Sequence, residues 1–429
     1  MRTSQIPKGE WEKLDKVLRP LLKDTLYLPH RATNDYLYGS PASGAVNLPM
    51  AAEESDIFAI DTAFKLLTSR DTFVRSLAWE DLNDTVRHRL QLRDEDPDVA
   101  AFLSGTTDGE FRRSSNRIGN IWTAARAASR RLQVKWTIQN CLPVIEAGDF
   151  SATATAVHRR NIATSIRKSC KSVRDERLLS LPNQGKTLEC VAASKASTHF
   201  LQSGSYTRFA DWRFVHKARL NLVSLNGAKP WSNLDPRCRR CGADRETLPH
   251  VLDHCMAYST LYKERHNAIV DRLIKMCERD FNIISVDQSL NTSRLRPDLL
   301  VERDGQHFLI DVTIPFENHL GAFAEARARK LEKYEMLRAS IAQERGHCVI
   351  VPFVIGALGS WDRANDKFII NIACSRSYAR LLRMLCVSDV IRHSRNIYVG
   401  HLSGRSEVTL LTEANPPNNE QSHSQANEN

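Results

Sequence analysis

The chain has 429 residues, with 60 Lys plus Arg against 50 Asp plus Glu, a net charge of +10 and a pI near 9.1. Hydrophobic residues make up 42% and charged residues 26%, which excludes a wholly disordered or collagen-like chain and fits several packed domains. No apolar run reaches the ~18 residues of a membrane span and the start has no apolar signal core, so an intracellular chain without a membrane partner is expected. The basic balance favours a polyanionic partner. Of ten cysteines, seven are scattered singly, so no disulfide scaffold is expected.

Residues 1–105 read as helical. Trp11, Leu14, Val17, Leu18, Leu21 and Leu22 repeat at helical spacing over 10–28. Ser55 or Asp56 is placed to cap a helix striped by Ile57, Ile60, Phe64 and Leu67, and Asp71 starts another bearing Val74, Leu77 and Ala78. Such stripes ordinarily face a core. Residues 106–233 read as a basic helical linker. Between Phe111 and Arg174 thirteen basic residues face only two acids, Glu146 and Asp149, a bias that predicts contact with a phosphate backbone. Phe209, Trp212, Phe214 and Trp231 interleave with Arg208, Arg213, Lys217 and Arg219. Two readings stand for these rings: stacking on unpaired bases, or core packing. The run from Ala414 to the end carries no apolar residue beyond alanine, so 414–429 is expected to be disordered.

Residues 234–258 contain Cys238, Cys241, His250 and Cys255 in the spacing C-x2-C-x8-H-x4-C. The first pair turns two sulfurs to one point, Gly242 permits the tight backbone after it, and the second pair comes from one short helical turn. Four N/S ligands closing a tetrahedron is the pattern of a structural zinc site, with no open position for catalysis. His254 is a possible substitute for His250. A knuckle this small has little core of its own, so metal is expected to drive its folding. Arg239 and Arg240 beside it suit nucleic-acid contact.

Residues 260–413 mix strand and helix. Two apolar runs flank Asp304-Gly305, a strong hairpin cue. A two-residue turn pairs Arg303 with Gln306, Val301 with Phe308 and Leu299 with Ile310, and so sets Asp298 opposite Asp311. Two carboxylates at that separation repel one another unless a divalent metal lies between them. A helix follows, striped by Phe323, Ala326, Tyr334, Leu337 and Ile341, with Lys330 at the centre of the stripe and Lys333 at its edge. Lys330 can reach the acids from there. The bland alternative is a lysine that snorkels to solvent. The run 349–356 reads as a further buried strand beside the hairpin.

Pro297-Asp298 followed by Asp311 resembles the PD-(D/E)xK nuclease fold, although Thr313 stands where the usual lysine would be. The lysine displaced to the next helix, with the C-x2-C…H-x4-C knuckle upstream, resembles the restriction-like endonucleases of site-specific non-LTR retrotransposons, such as those that insert in ribosomal RNA genes. Residues 215–226 resemble that family's basic linker motif, and 18–29 with 36–40 its segment after the polymerase palm. The resemblance implies a multidomain chain: a helical thumb and linker, a zinc knuckle and an α/β restriction-endonuclease-like domain. It implies structural zinc, and catalytic magnesium on Asp298 and Asp311 with Lys330, or else Lys333, as the catalytic lysine. The implied partners are target DNA and element RNA, with no small-molecule cofactor, and the implied location is the nucleus. The chain has no Asp-Asp pair, so it lacks the polymerase's metal-binding turn. It looks like the C-terminal half of such a polyprotein. The rival expectations are a non-catalytic nucleic-acid-binding remnant and, more weakly, a module whose basic face meets an acidic protein.

Overall fold

A computed structural model describes residues 6–91, 97–113, 119–228, 235–290, 294–371 and 375–404. Trp231 and the expected tail lie outside them. The chain divides into two compact units, Met1–Ser40 with Ala45–Leu178, and Pro41–Gly44 with Leu179–Asn429.

In the first unit the helices are α1 (Lys8–Thr25), α2 (Asn34–Tyr38), α3 (Ala51–Leu67), α4 (Thr72–Leu90), α5 (Val99–Leu103) and α6 (Ile121–Leu132). They are followed by strands β1 (Lys135–Gln139), β2 (Leu142–Ala147) and β3 (Phe150–Ala152), and then by α7 (Ala156–Leu179). The stripe Ile57, Ile60, Phe64 and Leu67 is fully buried against Trp122, Trp136, Ile145 and Ile162, as expected of a core face. The start of α3 differs from expectation. It lies upstream of Ser55, and its first amides are capped by Asp15 of α1, which accepts from the N–H groups of Ala51 and Ala52 at 2.8 Å each. Asp71 caps α4 as expected.

Three expectations for this unit are corrected. The apolar stripe of α1 does not face a core: Leu14, Val17, Leu18 and Leu21 are exposed, because α1 buries Asp15 and Lys23 instead. The outer end of the α4 stripe is exposed too, at Val74 and Leu77, while Ala78 is buried. The stretch expected to be helical contains the antiparallel meander β1-β2-β3. Its local signal is the alternation of Trp136 and Ile138 with Lys135, Thr137 and Gln139.

Several of the basic residues in this region are engaged inside the unit. Arg167 forms a bidentate pair with Glu54, at 2.6 and 2.7 Å. Arg131 does the same with Asp56, and Arg174 pairs with Glu53. Buried Arg126 donates to the carbonyls of Phe102 and Thr106. The acids at the start of α3 thus take up part of a charge excess that reads, along the sequence, as a run facing a phosphate backbone.

The second unit contains α8 (Lys186–Ala192), α9 (Phe200–Ser203), α10 (Phe209–Arg219), α11 (Ser259–Cys277), α12 (Gly321–Arg345), α13 (Asn365–Asn371) and α14 (Arg376–Ser403). Its strands are β4 (Asn282–Val286), β5 (Leu299–Arg303), β6 (Gln306–Thr313) and β7 (Cys348–Val354). They form one sheet in the order β4-β5-β6-β7. The β5–β6 hairpin has the predicted register, Leu299 opposite Ile310 and Arg303 opposite Gln306. Asp304 and Gly305 both take positive φ, 51° and 78°, as a tight turn of this kind needs. Strand β7 runs parallel to β6 after the α12 crossover.

Side chains alternate across this sheet. Leu299, Val301, Ile310 and Val312 enter a core shared with α10, α11, α14 and the cysteine segment. Leu300, Leu309 and Ile350 pack on the other face against Tyr334, Leu337 and Ile341 of α12. All five residues of the predicted α12 stripe are buried. In the loop after β6, Glu317 is fully buried and accepts from the N–H groups of Leu358 and Ser360. Gly356 makes room for it: a Cβ there would sit 2.2 Å from the Glu317 carboxylate. Burial pushes this carboxyl up to about 7. The chain is thus a multidomain α/β protein of helices and small sheets.

Candidate functional site

Cys238, Cys241, His250 and Cys255 come together, with their ligand atoms all within 4.8 Å of one another. The Cys238 and Cys255 sulfurs are 3.9 Å apart, and the Cys241 sulfur lies 3.2 Å from His250 Nε2. A tetrahedral zinc ion, with Zn–S near 2.3 Å and Zn–N near 2.0–2.1 Å, needs ligand separations of about 3.5–3.8 Å. The four residues therefore fit the ion, and the cluster could bind zinc. The local backbone explains the convergence. Gly242, at φ 74°, turns the chain so that its N–H donates to Cys238 C=O, while Cys255 N–H donates to His250 C=O across one wide helical turn. His254 is exposed and stands outside the cluster.

The knuckle is not a free-standing module. Leu248, Val251 and Leu252 join the main core of the unit. Behind Cys238, buried Glu246 meets His401 Nε2 at 2.8 Å and accepts from Arg239 Nε at 2.7 Å. Burial pushes the Glu246 carboxyl up, but hydrogen bonds from Arg239, from the Asn226 N–H and from His401 outweigh it and bring it down to about 2. Arg240 donates to the carbonyls of His401 and Leu402, the last turn of α14. Sequence spacing could not have found Glu246 or His401, because their partnership spans 155 residues.

The acids lie at one end of the sheet. Asp298 immediately precedes β5, one residue beyond the paired register, so the expected direct opposition to Asp311 is not part of the ladder; Asp311 is near the end of β6 with the parity of Leu309, on the α12 face. The Asp298 carboxylate accepts from the Val312 N–H at 2.6 Å, which holds it beside Asp311. Asp311 is buried; one of its oxygens accepts from the Tyr334 hydroxyl and the other is ion-paired with Lys330. Among the described residues Lys333 meets no acid. Its ammonium donates to the Tyr334 oxygen at 2.9 Å and lies 4.5 Å from the ring centroid. Burial raises the Tyr334 pKa, and the hydrogen bond to Asp311 raises it further, so Tyr334 stays a donor.

His266, from α11, meets Asp298 at 3.2 Å. Burial disfavours the His266 cation, but the hydrogen bond and charge of Asp298 outweigh burial and raise its pKa. The sequence reading missed His266, which lies 32 residues upstream on a helix with no local sign of this contact. The Asp298 and Asp311 carboxylates are hard oxygen donors of the kind magnesium takes. In this arrangement Lys330 and His266 balance their charge.

The expected nucleic-acid contacts divide. Arg219 is buried and donates to the carbonyls of Leu358 and Gly359, so the expectation that it touches a ligand is corrected: it braces the loop beside Glu317. Arg208 is exposed and paired with Asp211; Arg213 is exposed and Lys217 half-buried. Arg239 is held by Glu246, and Arg240 caps α14.

This geometry defines a multidomain α/β protein with a Cys3His cluster that fits a metal ion and, on the same unit, a buried acid–lysine–tyrosine cluster. No family model matches the chain. The chain is similar to a retrovirus-related Pol polyprotein from the type-1 retrotransposable element R2 of Popillia japonica, at 25% identity over 190 residues. The match covers 43% of this chain and 39% of that relative, so the chain spans about two fifths of the relative's length. The similarity supports a retrotransposon polyprotein origin.

Proposed function

We propose that the second unit is a magnesium-dependent DNA endonuclease of the restriction-like kind, carried on part of a non-LTR retrotransposon polyprotein. The observation that carries this reading is the Asp298 carboxylate held on the Val312 N–H, next in the chain to Asp311, with Lys330 delivered to Asp311 from α12. Asp298 and Asp311 would hold the magnesium ion, which when bound supplies Lewis acidity at a phosphate oxygen and lowers the pKa of water. Lys330 neutralises charge at the acids and orients a donor toward the phosphate. Tyr334 fixes the Asp311 carboxylate, and Lys333 steadies Tyr334. Zinc on the knuckle would be structural. The nick would expose a 3′ hydroxyl that primes copying of element RNA in the nucleus.

The test is incubation of the purified chain with target DNA and magnesium. Asp298→Ala should abolish nicking, and cleavage by that variant at the wild-type rate would refute the assignment. A second reading, a non-catalytic binder, is favoured by the compensation of both acids by Lys330 and His266. It predicts salt-sensitive binding with no nicking at any magnesium concentration.

A further inference from the structure

The oxygens of the acid cluster are not equivalent. Both carboxylate oxygens of Asp311 are engaged, one by the Tyr334 hydroxyl and the other by the Lys330 ammonium. Asp298 is held on one side only. Its Oδ2 accepts from the Val312 N–H at 2.6 Å and lies 3.2 Å from His266 Nε2. Among the described residues no donor meets its Oδ1. The Asp298 side chain is 14% exposed against 3% for Asp311, so a hydrated cation arriving from solvent meets Asp298 first.

His266 is fixed where it stands. Arg265, the residue before it, is buried and donates to Asp253 at 2.9 Å and to the Ser394 hydroxyl at 3.1 Å. Further along α11, Ile269, Val270 and Leu273 lie in the main core of the unit, and Arg272 pairs with Asp389 at 2.8 Å. The imidazole thus meets Asp298 from a helix anchored on both sides of it. A group held this firmly beside a ligand oxygen fixes which way the carboxylate faces.

The direction it faces decides which ion suits it. Calcium takes about 6–8 oxygens and readily grips a carboxylate by both of them, whereas magnesium demands near-ideal octahedral geometry and keeps several waters. A two-oxygen grip on Asp298 would have to break Oδ2 away from both Val312 and His266. A one-oxygen contact at Oδ1 disturbs neither.

We infer that His266 is a positioning residue that sets cation selectivity: with the Val312 N–H it holds Asp298 Oδ2, leaves Oδ1 for the ion, and so favours magnesium over calcium. The inference rests on the metal reading above and deepens it by naming the residue that selects the ion. Charge does not decide the preference, because the two ions carry the same charge and the imidazole acts electrostatically on both alike.

The experiment is a competition on the full zinc-loaded chain without DNA. Mn²⁺ is the probe: its free-ion EPR signal falls on binding and returns when Mg²⁺ or Ca²⁺ displaces it. Asp298→Ala should abolish Mn²⁺ binding, which assigns the signal to this site. His266→Leu should lower the ratio of the calcium to the magnesium dissociation constant by about tenfold, the worth of a group that orients a metal ligand. His266→Gln, which keeps a donor of similar reach, should return the ratio to the wild-type value. An unchanged ratio in His266→Leu would overturn the inference alone, provided the wild type binds Mn²⁺ through Asp298. An equal fall in His266→Leu and His266→Gln would overturn it as well. Nitrogen coupling to bound Mn²⁺ that vanishes in His266→Leu would also overturn it, since the ring would then be a ligand. A wild type that binds no Mn²⁺, or an Asp298→Ala variant that binds it unchanged, would remove the metal reading itself and the inference with it.

Discussion

At the scale of single residues, the two lysines of α12 make the sharpest distinction. They are three positions apart, yet Lys330 meets Asp311 whereas Lys333 meets Tyr334. Lys330→Met should lower the nicking rate by about 10²-fold or more, as expected when a cation aimed at developing charge is removed. Lys333→Met should cost no more than about tenfold, because it acts through Tyr334. Single-turnover rates on one DNA substrate check both, and equal losses would contradict the division of roles. The hairpin was legible because a strand has period two and the Asp-Gly turn fixes the register from Arg303–Gln306 to Leu299–Ile310; Asp298 falls one residue beyond that ladder, where the period no longer dictates its direction. Lys330 followed from the helical stripe. His266, Glu246 and His401 were not legible, because each meets its partner through tertiary packing that no spacing encodes.

At the scale of elements, the knuckle and the loop after β6 carry separate predictions. Removal of zinc by a chelator should loosen residues 238–255 and, through Arg240 and His401, the last turn of α14. Hydrogen exchange over 396–404 should therefore rise together with exchange in the knuckle, and unchanged protection there would sever the link. The loop prediction concerns pH. The Glu317 carboxyl sits at about 7 in the folded chain, against an ordinary value near 4.3 unfolded. Between these values the folded state holds a proton that the unfolded chain has released. Stability from this group is therefore present at low pH and is lost as pH rises from about 4.5 to about 7, by up to about 1.4 kcal/mol per unit. Urea midpoints measured from pH 5 to pH 8 should fall more steeply in the wild type than in Glu317→Gln. The β5–β6 hairpin and β7 were readable from their apolar runs and the Asp-Gly turn, but β4 and the burial of Glu317 were not. A lone glutamate after a strand reads as a surface residue until the amides of Leu358 and Ser360 close over it.

For the whole molecule, the lesson concerns charge. A run of thirteen basic residues against two acids reads as a nucleic-acid surface, and yet Arg131, Arg167 and Arg174 pair with Asp56, Glu54 and Glu53. Local charge counts miss this because the acids lie more than seventy residues away in sequence. Arg167→Ala should lower the stability of the first unit by about 1–3 kcal/mol, since it leaves the buried Glu54 without its partner. It should leave unchanged the salt dependence of DNA binding. Replacement of Arg213 by Ala should do the reverse and reduce the slope of log affinity against log salt by about one. Titrations at several salt concentrations, with urea melts of the same variants, separate the two effects.

The link between Glu246 and His401 also sets an order of assembly. During synthesis the metal-binding cysteines leave the ribosome well before the final helix, so an emerging chain can gather its thiolates while the buried carboxylate behind Cys238 still waits for an imidazole. A nascent chain interrupted before that histidine would carry a loaded but unbuttressed finger. The completed helix acts as the latch that closes behind it.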